Sequence, residues 1–238
     1  MPLTSGSAIL APVNISDPEP PDPGLLDLLE PINVVILGYY PVPKQTAPAH
    51  LREDNEAEAA ARLEKAVNAF ARFDHEVEGV LVFTKEVQDT IDRIANQHDC
   101  DAVLIPGDIG TVERILVPLR GDVNLERIVS VVADLVGTSD AAVTLFHSVP
   151  EGTDATQGEF MLRGAADRLT EEGVDADRID WKLAEGGSPR REIIKLASEY
   201  DLLIFGETEP SLRDRILGTV VRPILDEVET TTIVVRDV

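Results

Sequence analysis

The chain has 238 residues, enough for two domains of about 100–150 residues each, and its 43% hydrophobic content supports a core in both. It carries 44 Asp and Glu against 21 Lys and Arg, a net charge of −23, which argues against a binder of DNA or RNA backbones, since those need a basic face. The one cysteine, Cys100, rules out an intrachain disulfide, no Cys/His group has zinc spacing, and no apolar run approaches the ~18 residues of a membrane-spanning helix.

Residues 9–13, Ile-Leu-Ala-Pro-Val, form a short apolar run suited to a buried parallel strand, where period-two alternation is not expected. The stretch Asp17-Pro-Glu-Pro-Pro-Asp-Pro then leaves only Gly24 to Glu30 for a first helix, because proline removes backbone donors and biases its predecessor away from helical angles. Val34 to Leu37 give a second strand. Residues 54–72, rich in Ala, Glu and Arg, place Ala57, Ala61, Leu63, Val67 and Phe70 near helical spacing. A third strand (77–83), a third helix (86–98) and a fourth strand (102–105) follow, closing on Gly107.

The order then begins again. Ile-Leu-Val-Pro-Leu at 115–119 matches the opening run, a helical stretch follows, and Val143 to Phe146 form the next strand. Residues 156–172 place Phe160, Leu162, Ala165, Ala166 and Leu169 similarly, near helical spacing. A third strand (179–184), a third helix (189–199) and a fourth strand, Leu202 to Phe205, close on Gly206. This second copy continues through a loop, a helix over about 219–228 and a fifth strand, Thr231 to Val235, all of which the first copy lacks. Strands alternating with helices predict a parallel sheet wrapped by helices, and the repetition predicts a tandem α/β duplication, with domains at 1–110 and 111–238.

The ordered set Ile-Leu-Val-Pro (115–118), Leu-Phe-His-Ser-Val (145–149), Glu-Gly-Gly-Ser-Pro (185–189), Asp-Leu-Leu-Ile-Phe-Gly (201–206), Gly218-Thr219 and Thr-Ile-Val-Val-Arg (232–236) resembles the universal stress protein family across residues 113–238. Residues 8–107 resemble it more faintly. The resemblance implies adenine nucleotide α-hydrolase-like units, the second with five parallel strands in the order 3-2-1-4-5 and the first cut to about four, and it implies a homodimer. It also implies ATP or AMP at the C-terminal ends of the strands, where open α/β sheets bind ligands. Carried over, it places Pro118, Arg120, Ser148, Gly206, Gly218 and Thr219 around that site.

The family's phosphate motif is a glycine, two residues, a glycine, nine residues, then Gly-Ser or Gly-Thr. Its glycines let backbone N–H groups approach phosphate oxygens. Here Gly206 and Gly218-Thr219 stand, but the second glycine is Glu209, and eight residues separate it from Gly218. The acidic residue that nucleotide-binding members carry two positions after the strand proline is Arg120 here, and Asn14 in the first copy. A guanidinium only donates, so it suits a carboxylate or a phosphate. Arg120 is expected either to pair with Glu207 or Glu209 and close the pocket, or to serve an anionic ligand. Gly218-Thr219 reads equally as a phosphate site and as a plain helix cap.

No general base or metal-binding carboxylate pair stands out. His147 reads as a core histidine, Cys100 as a small buried apolar residue, and Ser188-Pro189 as a helix start. The expected function is therefore non-enzymatic: a stress-response or regulatory protein that binds an adenine nucleotide or another anionic ligand weakly in its second domain. The alternative is a ligand-free assembly or adaptor protein, for example one regulating a transporter.

The acidity is even, with 19 acids against 7 bases in residues 1–112 and 25 against 14 in residues 113–238, and only five of the bases are lysines. Spread carboxylates with few lysines predict adaptation to a salt-rich cytoplasm, where molar salt cuts the Debye length to about 3 Å and screens self-repulsion. The N-terminus shows no basic segment ahead of an apolar one, so a cytoplasmic location is expected.

Overall fold

The computed structural model describes residues 6–71, 76–107, 109–121, 124–137, 139–152, 154–207 and 221–237. They form two compact units, Met1–Leu104 and Ile105–Val238.

In the first unit β1 (Ala8–Asn14) pairs in parallel with β2 (Asn33–Pro41) on one side and β4 (Ala102–Ile105) on the other, and β3 (Val77–Thr84) lies outside β2. The order is thus 3-2-1-4. The proline-rich stretch shortens α1 (Pro23–Leu28) to six residues; Pro23 sits where a missing donor costs least, and Asp22 Oδ1 accepts the Gly24 N–H at 2.8 Å. The longest helix, α2 (Pro48–Phe70), starts six residues before the apolar spacing predicts, because Pro48 is tolerated in its first turn. It buries Ala59, Leu63 and Phe70, and α3 (Val87–Gln97) buries Ile94 and Ala95.

The second unit holds β5 (Arg114–Pro118), α4 (Leu125–Val136), β6 (Ala142–Val149), α5 (Thr156–Glu171), β7 (Ile179–Glu185), α6 (Pro189–Ala197), β8 (Leu202–Gly206), the short α7 (Val221–Leu225) and β9 (Thr232–Val235). Its strands are all parallel, in the order β7-β6-β5-β8-β9. That is the 3-2-1-4-5 order expected from the resemblance. The chain moves outward from β5 through β6 to β7, then crosses back to β8. Right-handed crossovers put α4 and α5 on one face of the sheet and α6 on the other. The reversal between β5 and β8 opens a crevice at the C-terminal ends of those strands. Ile115, Leu116, Val117, Leu202, Leu203 and Ile204 are fully buried, so these two strands form the core on which the crevice rests.

Candidate functional site

The first strand of the second unit ends in the buried Pro118. The next residue locks it to β6, because the Leu119 N–H donates to the Phe146 carbonyl at 2.7 Å. His147 Nδ1 stands 2.8 Å from the Leu119 carbonyl oxygen, which can only accept, so Nδ1 carries the proton. The histidine therefore staples two strand ends, a partner that sequence spacing does not supply. Its ring lies against Gly158 of α5, where a Cβ would come within 2.8 Å of His147 Cδ2.

Ser148 follows on the opposite face, since side chains alternate along a strand. It is 8% exposed, and its hydroxyl oxygen has no hydrogen-bond partner among the described residues. Buried polar groups are nearly always satisfied, so an unpaired hydroxyl at a strand end stands out from the rest of the core.

Gly206 ends β8, with Val235 opposite it on β9. A Cβ there would come within 2.6 Å of Ile128 Cδ1, so the absence of a side chain lets α4 settle onto the sheet. Asn124 marks the start of α4 with left-handed angles, φ 59° and ψ 16°. Its Nδ2 donates to the Arg236 carbonyl at 2.9 Å and to the Val235 carbonyl at 3.4 Å, tying the helix start to the end of β9. Arg127 Nη1 adds a longer bond, 3.4 Å, to the same Arg236 carbonyl. Sequence reasoning missed Asn124; its tolerance of left-handed angles just before an apolar helix was the available signal.

Arg120 is exposed and ion-pairs with no carboxylate among the described residues. The expected pair with Glu207 does not form: Glu207 Oε2 instead accepts the Asp237 N–H at 3.1 Å, and the Glu207 N–H donates to the Val235 carbonyl at 2.7 Å. Glu207 thus bonds toward the end of β9 through both its backbone and its carboxylate. Glu209, Gly218 and Thr219 lie outside the described residues. The structure thus brings Pro118, Arg120, Ser148 and Gly206 to the C-terminal edge of one sheet, with the start of α4 beside them.

A cavity of about 680 Å³ sits at the other end of the strands, lined in part by Tyr200, Asp201, Glu227 and Thr230. Its polar groups are engaged elsewhere. Asp201 Oδ2 accepts the Glu113 and Arg114 N–H groups at 3.0 and 2.8 Å, the Tyr200 hydroxyl accepts from Lys182 Nζ at 3.0 Å, and Glu227 pairs with Arg190. Size alone does not make it a site. Among the described residues no group of three or more His, Cys, Asp or Glu could hold a metal ion, and no helix is long and apolar enough to cross a membrane.

The model of the universal stress protein family matches residues 111–236. The chain belongs to the universal stress protein family. A universal stress protein of Archaeoglobus fulgidus aligns over 96% of this chain and 96% of its own, at 14% identity and a TM-score of 0.66. A functionally unknown protein of Pseudomonas aeruginosa aligns over 98% and 93%, at 14% identity and a TM-score of 0.55. The cytoplasmic domain of a prokaryotic cation chloride cotransporter aligns over 97% and 95%, at 14% identity and a TM-score of 0.51. At such identities the likeness concerns the fold. No curated protein sequence matches the chain.

Proposed function

We propose that this universal stress protein is a non-enzymatic stress-response regulator of a salt-rich cytoplasm, and that its second unit weakly binds an adenine nucleotide, ATP or AMP, or a related anionic ligand. The observation that carries the reading is the Ser148 hydroxyl, buried and unpartnered among the described residues at the sheet edge where the strand order reverses. Three features support an anion there. The positive end of the α4 dipole stands at the same edge. Arg120, exposed and clear of Glu207, offers a bidentate donor. The family's Gly-Thr pair persists at Gly218-Thr219. Calorimetry of the full chain against ATP, ADP, AMP and cyclic AMP in molar potassium chloride tests the reading. Saturable heat with at least one of them supports it, and none with any refutes it. Phosphate release from ATP would refute the non-enzymatic part.

A second reading, a ligand-free adaptor acting on a transporter, is favoured by Glu209 in place of the phosphate-loop glycine. It also fits the full-length likeness to a cotransporter's cytoplasmic domain. Mass spectrometry of the protein as purified separates the two, since only the first predicts a co-purifying nucleotide.

A further inference from the structure

The proline-rich stretch between β1 and α1 takes no part in the site of the second unit. From Asp17 to Pro23 every residue is a proline, precedes one, or does both. Proline fixes φ at about −65°, and the residue before a proline is pushed to ψ of about +120 to +160°. Together these are the angles of the left-handed polyproline II helix. Asp22 stands at φ −64° and ψ 138°. Residues 18–22 belong to no helix, strand or turn, and among the described residues no backbone hydrogen bond involves 17–21. A polyproline II helix has no internal hydrogen bonds, and its backbone faces solvent.

Both ends of the stretch are held. Arg62 of α2 donates through Nη1 to the Ile15 and Ser16 carbonyls, each at 2.9 Å. At the far end the Asp22 carboxylate caps α1 through the Gly24 N–H. A polyproline II helix repeats every three residues, so its side chains fall into three ridges. Pro18 and Pro21 make one, Pro20 and Pro23 the next, and Glu19 and Asp22 the third. Pro21 is half-buried, whereas Pro18, Glu19, Pro20, Asp22 and Pro23 are exposed. The strut thus turns prolines of two ridges and a pair of acids to solvent. A flexible segment gives up conformational freedom when it docks; this one has given it up on folding.

We propose that residues 17–23 are a docking segment for a partner protein whose groove is lined by aromatic rings and rimmed by Lys or Arg. Aromatic-lined grooves accept polyproline II segments because the helix is preformed and costs little entropy to hold. The acids decide the sign of the rim. Asp17, Glu19, Asp22, Asp27 and Glu30 all precede Lys44, the first basic residue of the chain. Glu19 has no ion-pair partner among the described residues, so its carboxylate is open to a guanidinium or ammonium of the partner. A nucleic acid or an anionic membrane would offer only the repelling sign. The segment lies in the first unit and needs no nucleotide, so it stands or falls apart from the nucleotide reading.

Immobilised SH3, WW and EVH1 domains, which bind such segments, are the probes, taken in two sets whose aromatic grooves have a basic or an acidic rim. The full chain in molar potassium chloride should be retained by domains of the basic set, because ion pairs partly buried in a contact are screened much less than exposed ones. Pro18→Ala, Pro20→Ala and Pro21→Ala combined should lose that retention while circular dichroism still shows a folded chain. Glu19→Lys keeps every proline, and should weaken retention on the basic set and strengthen it on the acidic one. A wild type retained by no basic-rimmed domain, a folded triple variant held as well as wild type, or Glu19→Lys with an unchanged preference overturns the proposal.

Discussion

Gly206 lies beneath Ile128, so close that a methyl carbon at position 206 would come within 2.6 Å of Ile128 Cδ1. The residue is the first glycine of the family's phosphate motif, yet its contact in this chain is with a buried isoleucine of α4. Gly206→Ala should therefore destabilise the fold by about 1–3 kcal/mol through overpacking. Ile128→Val removes the clashing carbon and alone costs about 0.5–1.5 kcal/mol. Urea melts of the double variant should show less loss than the sum of the singles, as expected for touching sites. Strict additivity would mean that the glycine is not held by packing.

Ser148 should give opposite signs in two measurements. Ser148→Ala removes a buried hydroxyl that has no partner among the described residues. An unsatisfied buried group costs about 1–3 kcal/mol, so the ligand-free variant should melt at the same temperature as wild type or higher. The same change should weaken nucleotide binding in calorimetry. A variant that melts lower would point to a structural water on the hydroxyl instead.

The chain should gain stability with salt. Most of the described ion pairs are exposed, and three join residues one helical turn apart, Arg52–Glu56, Arg62–Glu58 and Arg163–Glu159. Such pairs contribute about 0–1 kcal/mol and do not offset a net charge of −23. Thermal melts in dilute buffer and in molar potassium chloride should differ by several degrees, of which about 2–4 °C corresponds to 1 kcal/mol at this chain length. A midpoint that does not rise would remove the salt-adapted reading.

Lys182 offers an alkaline test. Its ammonium donates to the Tyr200 hydroxyl at 3.0 Å and stands 5.5 Å from the centre of that ring, and the hydrogen bond, more than neighbouring charge, raises its pKa. A folded-state pKa above the unfolded one means that the contribution is complete below the ordinary lysine value of 10.5 and is lost as pH rises through the raised one. Urea midpoints of wild type and Lys182→Met should differ at neutral pH and converge above about 10.5. A gap that is constant with pH would assign the loss to packing of the lysine stem alone.

Much of this architecture was legible in the residues. Short apolar runs ending at Pro12 and Pro118 located both first strands, and the prolines between 18 and 23 predicted a stunted first helix, which α1 is. What could not be read was contact between distant residues. Nothing near Asn124 announces that its amide will reach the carbonyls of β9, and nothing near His147 announces the Leu119 carbonyl. One expectation set Arg120 against Glu207 or Glu209, which the strand order brings to one edge; Glu209 lies outside the described residues. Glu207 does not meet Arg120, because its carboxylate accepts the Asp237 N–H instead. Strand order fixes neighbourhood, and side-chain partners depend on turn geometry that composition does not encode.

The bond from the Trp181 N–H to Asp180 Oδ1, 2.8 Å long, has a consequence for solubility. Trp181 lies on β7, the outer strand of its unit, and its N–H is on the side away from β6. With that donor occupied from within, the edge has one group fewer to offer a foreign strand. Asp180→Ala should free the donor and raise the tendency to aggregate, read by light scattering; unchanged scattering would mean that the aspartate does not guard this edge.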